Sequence, residues 1–232
     1  MAQPAHATDV PSRYTRVAIV LHWLIAGFLL LNLSLGWFME GLPPALKGVV
    51  LPLHISAGMS VLVLTALRIA WRLTQTPPPF TPGTSRGERD GAHFVHLLLY
   101  AGMVLMPLTG WSILSSHPAP GSAGAIAEAA ARPAPPPGAK APPAGGGVLR
   151  LWYVIPLPSL APIQEIGVTA GGLPAQKRLH DRFVDAHALG GYVMIALLLL
   201  HVFGALKHQW IDGEDELGRM GLPRRRVAAG AE

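Results

Sequence analysis

Long apolar segments separated by more polar stretches dominate this chain. Four segments are long enough to cross about 30 Å of hydrocarbon as helices that rise about 1.5 Å per residue. They cover about residues 17–39, 51–73, 95–115 and 186–206. Each is too long and too evenly apolar for a strand. The pattern predicts an all-α fold, an integral membrane four-helix bundle.

The first apolar segment is expected to be a retained span and not a cleaved signal peptide. The stretch before it, residues 1–14, is long and has only Arg13 as a positive charge. The apolar run that follows exceeds the roughly 7–15 residues of a signal sequence. We therefore expect an N-terminal tail over 1–14, a transmembrane domain over 15–212, and a C-terminal tail over 213–232.

Basic residues beside the spans predict the orientation in the membrane. Arg13 and Arg16 precede the first span, whereas the first connection has only Lys47. Other basic residues lie around the second connection and after the fourth span: Arg68, Arg72, Arg86, Arg89, Lys207, Arg219, Arg224, Arg225 and Arg226. Lysine and arginine concentrate in short cytoplasmic loops. The bias predicts a multi-pass membrane protein with both termini and the second connection in the cytoplasm.

The third connection, residues 116–185, is then a long periplasmic loop. Loops of this length largely escape the charge rule, so its basic residues do not overturn the orientation. Residues 118–147 are nearly all Ala, Pro and Gly. Such a segment has little to bury and is expected to be disordered or loosely extended. Residues 148–167 mix apolar side chains with prolines, and we expect them to pack on the outer face as a cap.

Composition narrows the possible chemistry. Only 13% of residues are charged, against about 25% in a typical soluble domain. The basic residues flank the spans instead of forming one stripe, so no nucleic-acid partner is expected. The sequence has no cysteine, which excludes disulfides, thiolate-bound metals and the C-x-x-C-H attachment of c-type haem. Metal chemistry must therefore use histidine or carboxylate.

Four histidines, His22, His54, His187 and His201, lie within or at the edge of a span. His22 and His201 lie about 8–9 Å from the cytoplasmic side, whereas His54 and His187 lie near the outer side. His187 and His201 are fourteen residues apart, so they share one helix face about 21 Å apart. A lone histidine is more often an interfacial or hydrogen-bonded residue. Four that pair by depth predict two haems in the bundle interior, with axial pairs His22/His201 and His54/His187.

Further residues could contact haem propionates or a quinone: Arg16, Arg68, Arg72, His93, His96, Lys177, His180, Arg182 and Lys207. The positions of the basic residues are explained equally well if they set the orientation of the spans or contact lipid headgroups. His93 and His96 share a helix face, where an interfacial cap is the simpler reading. A cationic outer rim would also attract an anion such as superoxide.

At these residues the chain resembles the bacterial cytochrome b561 family. The matching motifs are Leu-His-Trp around His22, Leu-His-Ile-Ser-Ala-Gly at His54, Leu-Arg-Ile-Ala-Trp-Arg from Leu67, Ala-His-Phe-Val-His at His93, Leu-His at His201, and Ala-Leu-Lys-His-Gln-Trp-Ile-Asp ending at Asp212. They occur in order with the spans, over residues 12–116 and 148–222.

The resemblance implies two haem b groups held by the four histidines and electron exchange with a quinone such as ubiquinone. Some members of the family are proposed to oxidise superoxide on the outer face. The chain departs from the family pattern in its long Ala/Pro/Gly insertion and in Ala188, where a glutamate is common. Both departures are on the outer side, so they affect the superoxide role and leave the haem ligands unchanged.

Three functions compete at this stage. The first is an oxidoreductase that takes electrons from a periplasmic donor and reduces membrane quinone. The second is a haem-bearing anchor subunit that relays electrons for a dehydrogenase or hydrogenase. The third, a proton-carrying transporter, is disfavoured because the sequence has no internal repeats. The expected partners are membrane lipid, quinone and a periplasmic donor or superoxide, and a homodimer is left open.

Overall fold

A computed structural model describes residues 13–81, 83–133, 144–145 and 149–222. Most of the predicted N-terminal tail and residues 223–232 of the C-terminal tail lie outside the described residues. So do residues 134–143 and 146–147 of the Ala/Pro/Gly insertion, together with residues 82 and 148.

The described residues form seven α-helices and one short β-hairpin. The helices are α1 (Arg16–Met39), α2 (Pro44–Thr74), α3 (Arg86–Ser115), α4 (Ala123–Ala131), α5 (Ala161–Gln164), α6 (Leu173–Trp210) and α7 (Glu216–Arg219). The hairpin pairs β1 (Arg150–Leu151) with β2 (Ile155–Pro156) in antiparallel fashion. Two 3₁₀ turns, Glu165–Gly167 and Ala170–Gly172, connect α5 to α6.

Four of these helices, α1, α2, α3 and α6, are long and apolar enough to cross a membrane. The prediction of an all-α four-helix membrane bundle is therefore confirmed. Helix α1 packs against α2, α3 packs against α6, and α2 also contacts α3. The interior contains the buried side chains Ile25, Leu29, Val61, Leu99, Met103 and Met194. Many large apolar side chains on the outside of the helices are exposed, as expected of a surface covered by lipid.

The helices extend beyond the predicted spans because local start signals lie outside the apolar windows. Pro44 and Pro174 occupy the first turns of α2 and α6, where proline is well tolerated. Helix α3 begins with a capping box between Ser85 and Glu88. Helix α6 begins at Leu173, so residues 173–185, at the end of the predicted loop 116–185, are helical.

The expectation that the whole Ala/Pro/Gly insertion is disordered or loosely extended is wrong for residues 123–131, which form α4. Alanine has the highest helix propensity, and the Ser122 hydroxyl caps the helix by accepting from Ala125 N at 3.1 Å. Gly124 N donates to Val168 O at 2.8 Å, and Gly124 and Ala125 are buried. Small side chains thus let α4 pack closely on the segment that precedes α6.

The described part of the predicted C-terminal tail packs back onto the bundle. Residues 211–222 contain α7 and contact both α1 and the α2–α3 connection. Trp23 Nε1 on α1 donates to Met220 O at 2.9 Å. Arg219 pairs with Glu216 at 2.8 Å and also donates to Pro79 O. We call residues 211–222 the C-terminal strap.

Candidate functional site

The four histidines predicted from the sequence form two pairs at different levels of the bundle. The ring centres of His54 and His187 are 6.0 Å apart, and those of His22 and His201 are 6.2 Å apart. An imidazole nitrogen lies about 2 Å from a bound metal, so two rings that coordinate one ion from opposite sides have centres about 6 Å apart. Both separations therefore fit an iron with two axial imidazoles.

The outer pair, His54 and His187, is positioned by hydrogen bonds to the Nδ1 atom of each ring. His54 Nδ1 lies 3.1 Å from Asn32 O, and His187 Nδ1 lies 2.9 Å from Thr109 Oγ1. The Thr109 hydroxyl donates to Met106 O at 2.8 Å, so its oxygen can accept from His187. With each Nδ1 facing an acceptor, Nε2 is the nitrogen that suits a metal. Sequence reasoning missed Thr109 and the role of Asn32, because no motif marks a partner on another helix.

Two glycines lie directly beside the outer pair. A Cβ added at Gly36 would lie 3.1 Å from His54 Cε1, and one added at Gly110 would lie 3.2 Å from His187 Cε1. Both distances are shorter than ordinary van der Waals contacts. The absence of a side chain at these positions lets α1 approach His54 and lets α3 approach His187. The sequence alone did not single out either glycine.

The inner pair, His22 and His201, has additional polar neighbours. The His96 ring centre lies 5.0 Å from that of His201, and its Nδ1 lies 2.7 Å from Ala92 O. Arg68 Nε donates to Tyr100 Oη at 2.9 Å, and Nη1 donates to Ala18 O at 2.6 Å. Of the candidate propionate or quinone contacts, His96 reaches the inner pair directly, and Arg68 lies at the adjoining interface of α1, α2 and α3.

Other residues that the sequence suggested as propionate or quinone contacts either bind groups away from the histidine pairs or are exposed. His93 contacts Phe80, with ring centres 5.1 Å apart. Lys177 pairs with Asp181 at 2.9 Å. The side chains of Arg16, Arg72 and Arg182 are exposed on α1, α2 and α6.

His180 lies near the start of α6, away from the histidine pairs. Its Nδ1 lies 3.1 Å from Ser116 Oγ, and its ring centre is 5.2 Å from that of His117. Burial lowers the pKa of His117, and the neighbouring His180 lowers it further. A protonated imidazole is therefore disfavoured at this position.

Lys207 lies in a charged cluster near the end of α6. Its Nζ is 2.7 Å from carboxylate oxygens of both Glu88 and Asp212, and His208 Nδ1 is 2.8 Å from Asp212. The hydrogen bond from Lys207 lowers the pKa of Asp212. Glu88, His208 and Asp212 have ligand atoms close enough to hold a metal ion. The Lys207 ammonium already pairs with both carboxylates, so the cluster is best described as an ion-pair network joining α3, α6 and the C-terminal strap.

Comparisons with known proteins agree with this architecture. The family model described as prokaryotic cytochrome b561 matches residues 13–222. Cytochrome b561 homolog 2 of Escherichia coli is 26% identical over 224 residues, which cover 92% of this chain and 93% of that relative. Cytochrome b562 of Cereibacter sphaeroides is 39% identical over 103 residues, 42% of this chain and 63% of that relative.

A third relative, the probable superoxide oxidase CybB of Yersinia pestis, is 29% identical over 106 residues, 44% of this chain and 58% of that relative. The matches to it and to cytochrome b562 each span less than two thirds of the relative's length. The family match, by contrast, spans nearly all of the described residues and includes all four membrane helices. The chain belongs to the prokaryotic cytochrome b561 family, and it is accordingly a multi-pass inner-membrane protein of electron transfer for which the family implies haem b.

Proposed function

We propose that this protein is a di-haem b cytochrome that carries electrons across the inner membrane between a periplasmic donor and membrane quinone. The observation that supports it best is the presence of two histidine pairs at separate levels of the bundle, each with ring centres about 6 Å apart. The proposed axial pairs are His22/His201 and His54/His187.

The histidines suit electron transfer better than binding of oxygen. A bound haem b supplies one-electron redox chemistry, and two axial imidazoles leave no open position on its iron. The protein's own part is to hold the rings and exclude water. Asn32 O and Thr109 Oγ1 fix the outer pair, and all four rings are half-buried among the membrane helices.

The spacing of the two pairs fits passage across the bilayer. His187 and His201 lie on one helix, fourteen residues apart, which corresponds to about 21 Å along the axis. One pair therefore lies near each membrane surface, and the distance that an electron must cover is divided into shorter parts. A single pair would leave most of the hydrocarbon thickness unbridged.

The distribution of basic residues indicates which side of the membrane would face the electron donor and which the acceptor. We propose that both termini are cytoplasmic, because basic residues flank α1, the α2–α3 connection and the end of α6. Lys177 and Arg182 then lie on the periplasmic part of α6, where they would attract an anion. The likeness to a probable superoxide oxidase makes superoxide the donor to test first. His96 and Arg68, beside the inner pair, are the proposed contacts for a haem propionate or a quinone such as ubiquinone.

A haem-bearing anchor subunit is the second candidate. The observation that favours it is the ordered cap on the proposed periplasmic side, where α4 packs on residues 167–169. Such a surface could dock a dehydrogenase or hydrogenase partner. Purified protein that reduces quinone with superoxide alone would support the first function, whereas a requirement for a co-purifying partner would support the second.

Single alanine variants test the ligand assignment. His22→Ala or His201→Ala should lower the content from two haems to about one per chain by removing the inner one. His54→Ala or His187→Ala should remove the outer one. His93→Ala is the matched control, because it removes another histidine of a membrane helix, and among the described residues its ring contacts that of Phe80 and neither histidine pair. Haem quantitation with visible spectra measures the result, and retention of both haems in all four variants would refute the assignment.

A further inference from the structure

The β1–β2 hairpin, residues 149–157, lies along the side of α2 at the depth of the membrane. Trp152 N donates to Ser56 Oγ at 2.8 Å, and Trp152 Nε1 donates to Ser60 Oγ at 3.2 Å. Tyr153 Oη donates to Val49 O at 3.3 Å. The tip of the hairpin is therefore attached to α2 over three successive turns and does not project away from the bundle.

The register of α2 gives the depth of the hairpin tip. Ser60 lies about 24 Å from the start of α2 at Pro44 and about 21 Å from its end at Thr74. It is about 9 Å deeper than His54 of the outer pair. The Trp152 ring also lies 5.9 Å from the ring of Phe28, which is about 9 Å from His22 along α1. Trp152 is thus level with the middle of the spans, between the two histidine pairs.

The tip presents four consecutive apolar side chains to the outside of the bundle. Trp152 is 40% exposed, Tyr153 57%, Val154 70% and Ile155 58%. A contiguous apolar patch of this kind is unfavourable in water. At the depth of Ser56 and Ser60, neighbouring residues of the spans such as Val63 are also apolar and exposed. The hairpin tip continues that surface.

Several backbone groups of the hairpin have hydrogen-bond partners within the protein. Tyr153 N donates to Arg150 O at 3.3 Å, Val154 N to Leu151 O at 3.0 Å and Leu157 N to Leu149 O at 2.8 Å. Pro156 and Pro158 have no N–H group. Irregular backbone is tolerated at membrane depth only where its polar groups have protein partners. Here Ser56 supplies the partner that the ladder does not give to Trp152 N.

The conformation of the turn shows that these contacts hold it in place. Trp152 has φ 50° and Tyr153 has φ 63°, the left-handed region that costs a bulky L residue about 1–3 kcal/mol. A flexible loop in water would use glycine or asparagine at these positions. The hydrogen bonds to α2 and the packing of Trp152 on Phe28 compensate for the strain.

We propose that the hairpin is a re-entrant membrane anchor whose tip, residues 152–155, inserts into the leaflet next to the α3–α6 connection and contacts lipid acyl chains. The chain enters the membrane along α2, turns at the tip, and leaves the membrane on the side from which it entered. This role is independent of the haem assignment, because it depends only on the depth of α2 and on the hairpin's own contacts.

The absence of cysteine in the chain allows a direct test by spin labelling of single-cysteine variants of the full-length holoprotein in lipid nanodiscs. Val154→Cys and Ile155→Cys place the label on the tip. Leu30→Cys is the matched lipid control, because it lies at a similar depth on α1 and is 55% exposed. Ala130→Cys, exposed on α4, is the aqueous control.

Power saturation with oxygen and with a water-soluble nickel chelate measures the surroundings of each label. We expect both tip labels to match Leu30→Cys in oxygen accessibility. Their chelate accessibility should be about tenfold or more below that of Ala130→Cys, because a polar chelate enters hydrocarbon poorly. Chelate accessibility equal to the aqueous control would overturn the proposal. So would protection from both reagents together with spin–spin broadening, which would mean that a second copy covers the tip. A normal haem spectrum verifies that each variant is folded.

Discussion

Gly36 and Gly110 lie close to the rings of the outer histidines and leave no room for a side chain at full van der Waals distance. A methyl group at either position would approach the ring of His54 or His187 to within 3.1–3.2 Å. Because the Nδ1 atoms of both rings are hydrogen-bonded, the rings have little freedom to withdraw. We expect Gly36→Ala and Gly110→Ala to weaken retention of the outer haem about tenfold or more, the effect of disturbing a metal ligand's support.

Gly27→Ala is the matched control for these variants, since a Cβ at Gly27 has no neighbour within 4 Å. It should keep both haems and stabilise α1 by roughly 0.5–1 kcal/mol. Transfer of haem to apomyoglobin measures retention. Equal behaviour of Gly27→Ala and Gly36→Ala would contradict the packing argument.

Thr109 should influence the reduction potential of the outer haem. A hydrogen bond from His187 Nδ1 to the Thr109 hydroxyl makes the imidazole a stronger donor, which favours ferric iron. Thr109→Val removes it and should raise the outer midpoint potential by about 40 mV, the equivalent of about 1 kcal/mol for one electron. Thr109→Ser keeps the hydroxyl and should keep the potential. A redox titration followed in the visible spectrum measures both. An equal shift in the serine variant would contradict the role of the hydrogen bond.

At the residue scale, the sequence indicated the candidate haem ligands but not the groups that position them. His22, His54, His187 and His201 are visible because an ionisable side chain within an apolar run is costly and rarely accidental. The groups that position them are a backbone carbonyl, a threonine and two glycines. These are ordinary residues in membrane helices, and their importance depends on which helix faces which.

At the scale of elements, hydropathy located the spans but not the true helix ends. The first turns of α6, from Leu173 onward, contain Lys177, Asp181 and Asp185. These charges keep the turns out of the apolar segment that predicted the fourth span. The turns are helical because the charged side chains are compatible with a helix in water and Lys177 pairs with Asp181 at i,i+4. Helix α4 was not predicted because its Ala-, Pro- and Gly-rich surroundings suggest disorder. Its packing on Val168, which the sequence does not reveal, favours an ordered helix.

The C-terminal strap is the element whose attachment is easiest to weaken. Lys207 holds carboxylates of both α3 and the strap, and partly exposed pairs of this kind stabilise a fold only weakly. Lys207→Gln leaves Glu88 and Asp212 without their cation. We expect tryptic cleavage after Arg219 to become about fivefold faster, with an unchanged visible spectrum, because the strap opens more often.

Lys47→Gln, which removes an exposed lysine of α2, is the control for this variant and should leave the rate unchanged. High salt should bring the wild-type rate toward that of Lys207→Gln by screening the pairs. A rate that responds neither to the substitution nor to salt would show that Trp23 and Arg219 hold the strap without help from Lys207.

At the scale of the whole molecule, the two ends of the bundle differ in construction. One end carries α4 and α5, which belong to the single long connection between α3 and α6. The other is closed by the C-terminal strap and the α2–α3 connection. A donor and a quinone would therefore meet different surfaces, and the direction of electron flow depends on which end faces the periplasm. The positive-inside rule assigns the strap to the cytoplasm.

Cysteine labelling tests this orientation, again because the chain has no cysteine of its own. Ala130→Cys on α4 and Thr76→Cys in the α2–α3 connection are both exposed positions. A membrane-impermeant maleimide should label Ala130→Cys in cells whose outer membrane alone has been permeabilised. It should label Thr76→Cys only after the inner membrane is opened. The reverse pattern would place the termini in the periplasm. The histidine pairs would be unaffected, but the cationic part of α6 would then face the cytoplasm and periplasmic superoxide would be excluded as the donor at that end.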